Sequence, residues 1–169
     1  RIVPAALDER ALPGEPAERC VLRLAEQKAL AVQRSLAPLA LPVLGADTAV
    51  VIDGQMLGKP VDREAALAML GRLSGRVHEV LSAVALASAG GVRSALSRSQ
   101  VRFRPLAPAE YAAYWDSGEP QGKAGGYAIQ GLGAVFIEQL HGSYSGVMGL
   151  PLFETAALLA EAGVPVWRG

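Results

Sequence analysis

Asp47 is an acid inside an otherwise apolar run, Leu41 to Ile52. A buried carboxylate without a partner is costly, so either a cation stands beside it or Asp47-Thr48 is a polar kink between two short strands. Lys59 is a candidate cation. If Asp53-Gly54 forms a two-residue hairpin turn, Ile52 faces Gln55, Thr48 falls opposite Lys59, and Asp47 lies next to both. An acid and a cation then meet at the open end of one hairpin. A one-residue slip would change which face each side chain occupies but not their proximity. A second unusual stretch is the glycine-dense segment from Gly118 to Gly133. Its glycines let backbone amides approach a ligand closely, and Lys123 adds a positive charge suited to phosphate. The segment matches neither the P-loop spacing nor the dinucleotide fingerprint.

Other reactive side chains have ordinary readings. Glu9 is a loop acid after Asp8, and Lys28 a helix-surface lysine. His78 and His141 lack partners at metal-ligand spacing. Cys20 has no recognisable catalytic context and Ser145 lacks the glycine-flanked nucleophile pattern, which disfavours covalent catalysis.

The elements that must position these groups follow from periodicity and turn chemistry. Residues 16–35 carry Val21, Leu22, Leu24, Ala25 and Ala29 at helical spacing. Leu41 to Ala46 and Ala49 to Ile52 are short β-type runs, and Met56-Leu57 returns after the Asp53-Gly54 turn. Asp62 caps a predicted helix from Arg63 to Leu73. Val77 to Leu86 and Val92 to Phe103 form a second hairpin about Gly90-Gly91, with Arg98, Arg102 and Arg104 on one face that reads as solvated. A helix from Pro108 to Asp116, a strand from Ala134 to Leu140 and a helix from Leu152 to Ala162 complete the pattern. Hairpins among irregularly alternating elements predict an α/β fold with a mixed, twisted sheet and flanking helices.

The 169 residues suit one domain, residues 1–169, and a composition 51% hydrophobic and 19% charged predicts a folded chain. Sixteen Lys and Arg balance sixteen Asp and Glu, which removes the broad basic field of a nucleic-acid-polymer or anionic-membrane binder but leaves small anionic ligands open. The apolar stretch 36–52 is broken by Pro38, Pro42, Gly45 and Asp47, so no membrane span is expected. A single cysteine and no signal peptide fit a cytoplasmic setting.

Several motifs stand in order along nearly the whole chain. They are Leu22-Arg23-Leu24-Ala25 leading to Lys28-Ala29, Gly45-Ala46-Asp47-Thr48, Leu57-Gly58-Lys59-Pro60, Leu73-Ser74-Gly75 with His78 in the following strand, and Gly118-Glu119-Pro120. Gly122-Lys123-Ala124-Gly125, Tyr127-Ala128-Ile129-Gln130-Gly131 and Gly149-Leu150-Pro151-Leu152 follow. In this the chain resembles the Maf-like nucleoside triphosphate pyrophosphatases, historically described as septum formation proteins. The resemblance implies two lobes about a cleft, a frequently dimeric protein, and a divalent cation, Mg²⁺ or Mn²⁺, with water attacking at the α-phosphate of a nucleoside triphosphate. It makes Asp47 the general base or metal-linked acid and Glu9 the second acid that holds metal or water. Lys28, Lys59 and Lys123 neutralise phosphate charge. Thr48 and Gln130 resemble the subgroup acting on dTTP and UTP rather than on 7-methyl-GTP, and Gln130 can both donate and accept as a pyrimidine edge requires.

The family's opening strand and Ser-x-Ser-Pro-Arg-Arg turn, a natural phosphate cradle, has no equivalent in residues 1–10, and the sequence opens at Arg1. The expectation is that one edge of the site is missing from this sequence. Two rival functions remain open at this level: a nucleotide-binding regulator of cell division with weak hydrolysis, and an inosine triphosphate pyrophosphatase relative, which Thr48 and Gln130 disfavour.

Overall fold

A computed structural model describes residues 2–36 and 41–167; Pro38, one of the expected chain-breakers, lies outside them. The elements in order are α1 (Ala17–Ser35), β1 (Val43–Ile52), β2 (Gln55–Leu57), α2 (Arg63–Leu73), β3 (Val77–Ser88) and β4 (Gly91–Phe103). They continue with α3 (Pro108–Asp116), β5 (Ile137–His141), α4 (Tyr144–Val147) and α5 (Leu152–Glu161). The strands form one sheet in the order β2-β1-β3-β4-β5. Among the described residues no helix is long and apolar enough to cross a membrane.

The fold is α/β with flanking helices, as the alternation of periods predicts, but every strand pairing is antiparallel. The parallel pairs of a mixed sheet do not form among the described residues. β1–β2 and β3–β4 are tight hairpins, and the chain through α2 returns β3 against β1 in the opposite direction. Asp53 (φ 53) and Gly54 (φ 72) take the two left-handed conformations of a type I′ turn. Asp62 caps α2 by accepting from the Ala65 amide at 2.8 Å.

Central strand β3 is covered on both faces. Leu81, Ala83, Ala85 and Ala87 face α1 through Val21, Ala25 and Ala29. On the opposite face Val80 joins Val50, Ile52, Leu70, Leu73, Phe103 and Tyr127, with Val84 and Leu86 continuing against Leu158 of α5. Small alanines on the α1 side let helix and sheet backbones come close. Gly45 marks the limit of that approach: a Cβ there would lie 2.3 Å from the Ala25 carbonyl oxygen and 2.6 Å from the Ala29 nitrogen.

Four local expectations are corrected. The runs 41–46 and 49–52 are one continuous strand, with Asp47 paired to Ala83 and Thr48 to Ser82 in the β1–β3 ladder, so there is no kink. The strand expected from Ala134 begins only at Ile137, because Leu132–Phe136 is a 3₁₀ turn. There the Glu119 carboxylate takes the Leu132 and Gly133 amides at 2.8 Å, hydrogen bonds a ladder would have needed. The second hairpin closes Ser88 on Gly91, so its loop is Ala89-Gly90, one residue earlier than Gly90-Gly91. Arg98 is exposed on β4 and pairs with Glu18, whereas Arg104 lies past the end of that strand, half-buried over the Phe136 ring and paired with Glu110, so the three arginines do not form one solvated face.

His78 of β3 is 2% exposed, sits edge-on to Phe103 and Tyr127, and its Nε2 lies 2.7 Å from the Tyr127 hydroxyl, while Nδ1 has no partner. Burial depresses its pKa from the ordinary 6.5 to about 4. Between those values the unfolded chain takes up a proton that the folded chain refuses, so stability falls as pH is lowered from about 6.5 toward 4. Melting temperatures measured over pH 6.5 to 5 are expected to decline in the wild type and to decline less in His78→Gln, which keeps a polar partner for Tyr127 without titrating. Equal slopes would show that His78 does not carry this dependence.

Candidate functional site

β2 pairs with only Val50, Val51 and Ile52 of β1, and the edge of β1 from Val43 to Ala49 has no strand beside it among the described residues. The hairpin ladder stops because the Gly58 carbonyl accepts from the Gly125 amide at 3.0 Å instead. Gly125 can dock so closely because it has no side chain: at φ +68, a Cβ would sit 3.0 Å from Val50. Extrapolating the hairpin to set Thr48 against Lys59 therefore fails. The two strands diverge and leave a cleft of about 990 Å³ that straddles the β1 edge.

Alternation along β1 sends Asp47 and Thr48 to opposite faces. On the α1 side, Lys28 Nζ donates to Asp47 Oδ1 at 2.7 Å and lies 2.6 Å from Glu9 Oε1. Lys59 Nζ reaches Glu9 Oε2 at 3.3 Å. The cation beside Asp47 is thus Lys28 rather than Lys59. Asp47 is the most enclosed of the four, its side chain 13% exposed. Burial raises its pKa, opposed by the Lys28 hydrogen bond and reinforced by the nearby Glu9 charge. The Lys28 hydrogen bond lowers Glu9 despite its partial burial. Lys28 itself is raised, since the Asp47 and Glu9 carboxylates outweigh the burial that works against its charge.

On the opposite side Thr48 Oγ1 lies 3.0 Å from Ser82 Oγ, and exposed Lys123 and Gln130 line the same cleft. Glu119 shapes the segment that carries them. Its carboxylate accepts from the Tyr114 hydroxyl at 2.7 Å as well as from the Leu132 and Gly133 amides, closing a loop over 119–133. Tyr127 ties the middle of that loop to His78. Met148 and Gly149, just after α4, complete the wall.

All seven residues expected at the site, Glu9, Lys28, Asp47, Thr48, Lys59, Lys123 and Gln130, line this one cleft. Sequence reasoning missed Ser82 and the packing role of Glu119. The signal for Ser82 was a hydroxyl in the otherwise apolar stretch Val80–Leu86; for Glu119 it was an acid at the mouth of a glycine-rich loop. Cys20 also borders the cleft, but burial pushes its thiol pKa up, which leaves it a poor nucleophile. Among the described residues no group of three or more His, Cys, Asp or Glu could hold a metal by itself.

With this geometry in place, comparison with known proteins adds a family and named relatives. The family described as Maf-like protein matches residues 1–162. A protein of Aromatoleum aromaticum named dTTP/UTP pyrophosphatase is 54% identical over 165 residues, covering 96% of this chain and 80% of its own length. Proteins of the same name from Hahella chejuensis and Burkholderia mallei are 52% and 55% identical. The matches cover 98% and 92% of this chain and 83% and 77% of those proteins.

Proposed function

The chain belongs to the Maf-like protein family, and from that premise we propose that its cleft hydrolyses dTTP and UTP to the nucleoside monophosphate and pyrophosphate. It is a nucleoside triphosphate pyrophosphatase. The observation that carries the reading to particular residues is Asp47, a nearly enclosed carboxylate of raised pKa among Lys28, Lys59 and Glu9 on one cleft edge.

Only Oδ1 of Asp47 is engaged by Lys28, which leaves Oδ2 to accept a proton from water. The water oxygen forms a bond to the α-phosphorus, the bond from that phosphorus to the bridging oxygen breaks, and pyrophosphate leaves. Lys28, Lys59 and Lys123 neutralise phosphate charge. Thr48 and Gln130 meet the base on the other side of the strand.

The Glu9 and Asp47 carboxylates converge on one ammonium, within 2.6 and 2.7 Å of Lys28 Nζ. These two hard oxygen donors would hold Mg²⁺ or Mn²⁺, with water and substrate phosphates as further ligands. When bound, the ion supplies charge stabilisation to the phosphates and lowers the pKa of water. The same reading includes a cytoplasmic setting, no nucleic-acid-polymer or membrane partner, and a homodimer.

Pyrophosphate release from dTTP, UTP, dITP and 7-methyl-GTP, with Mg²⁺ or Mn²⁺ present, tests the assignment. Turnover is expected to favour dTTP and UTP and to fall about tenfold or more in excess chelator. Equal rates across the panel would remove the pyrimidine preference, and an unchanged rate in chelator would remove the metal.

A further inference from the structure

Ser82 is 1% exposed, on β3 beneath the segment that closes the cleft, and its hydroxyl donates to the Gly146 carbonyl. A carbonyl brings no proton to a hydrogen bond, so the single Ser82 O–H is committed to it. Thr48 Oγ1 stands 3.0 Å from the same Ser82 oxygen. With its proton used, Ser82 can only accept there, and Thr48 must donate. Thr48 therefore has no proton left for the cleft and presents lone pairs alone. Thr48 and Gly149 both line the cleft, and with no side chain at Gly149 (φ +113) nothing from that residue covers the hydroxyl; a Cβ there would stand in van der Waals contact, 3.9 Å from Thr48 Oγ1.

We propose that Ser82 is a specificity-positioning residue, fixing Thr48 as an acceptor that selects the N3–H of thymine or uracil against the unprotonated N3 of cytosine. This rests on the reading that Thr48 meets the base. Gln130 does not make that distinction alone, because its amide can turn to offer either a donor or an acceptor. The direction of the Thr48 hydroxyl, by contrast, is set by a backbone carbonyl that cannot reverse its role. A cytosine N3 placed at Thr48 sets lone pair against lone pair, and a site built around a hydrogen bond discriminates strongly against an analogue that cannot make it.

The test compares kcat/KM for UTP, CTP and N3-methyl-UTP in the wild type, Ser82→Ala, Ser82→Thr and Thr48→Val, with melting temperatures alongside. In Ser82→Ala the Thr48 proton is free to turn into the cleft, so the UTP-to-CTP ratio is expected to fall about tenfold, while Ser82→Thr retains it. A uniform loss on both nucleotides in Ser82→Ala, or an unchanged ratio, would overturn the relay and leave Ser82 a packing residue. If Thr48→Val collapses the ratio but Ser82→Ala does not, the relay alone is wrong; if Thr48→Val leaves it intact, the base does not lie at Thr48. The wild type gives an outcome that needs no variant to fold. N3-methyl-UTP is expected to be at least tenfold poorer than UTP, and comparable rates would overturn the proposal.

Discussion

Asp47→Asn is expected to lower kcat on dTTP by about 100-fold or more while the melting temperature stays near that of the wild type. Asparagine keeps the shape of the side chain and can still accept from Lys28 through its amide oxygen, so the contact between α1 and β1 survives. What disappears is the second carboxylate oxygen, the one that Lys28 leaves open to water. The pH profile separates this role from a structural one. Burial raises the Asp47 pKa, so the protonated, inactive form persists to higher pH than for an exposed aspartate. The acid limb of kcat/KM should therefore be shifted upward from that of an exposed aspartate in the wild type and be absent from the residual activity of Asp47→Asn. Near wild-type turnover in the variant would remove Asp47 from the chemistry.

How much of this site could be read from sequence depends on how local each contact is. Asp47 stood out because an acid interrupts an apolar strand, a signal confined to a few neighbouring residues. The Asp53-Gly54 turn and the Asp62 cap were legible for the same reason, since each is decided by two to four residues. Lys28 was not: nineteen residues separate it from Asp47 and only the docking of α1 on β1 joins them, so its spacing reads as an ordinary helix surface. Resemblance to a family placed it at the site; periodicity did not. Lys59 failed in the other direction. Counting pairs back along the hairpin assumed that the ladder continues, whereas the Gly58 carbonyl turns to Gly125, more than sixty residues on. The Thr48–Ser82 pair needed the β1–β3 register, which follows from no turn because α2 intervenes. The four-residue helix α4 is too short to show a period at all.

Gly45→Ala is the second variant expected to have a large effect, and it joins the fold to the chemistry. The glycine belongs to the same motif as Asp47, yet its position, two residues away on the same strand face, is a packing requirement. The new methyl group would meet the Ala25 carbonyl oxygen at 2.3 Å and the Ala29 nitrogen at 2.6 Å. Both are helix backbone, so no side chain can swing aside, and α1 itself must move outward from β1. Lys28 lies between those two contact points on α1, so the displacement draws its ammonium away from Asp47 and Glu9. A buried overpacking against backbone costs about 3 kcal/mol. Loss of the Lys28 partner also leaves Asp47 buried without its principal counter-charge, which shifts it further toward the protonated form. Denaturant midpoints and dTTP turnover should therefore fall together in Gly45→Ala. Gly90→Ala supplies the control: its Cβ finds only Ser88 Oγ, at 3.7 Å, and should change stability by no more than about 0.5 kcal/mol. If Gly45→Ala matched that control in both measurements, close approach of α1 to β1 would not be what holds Lys28 against Asp47.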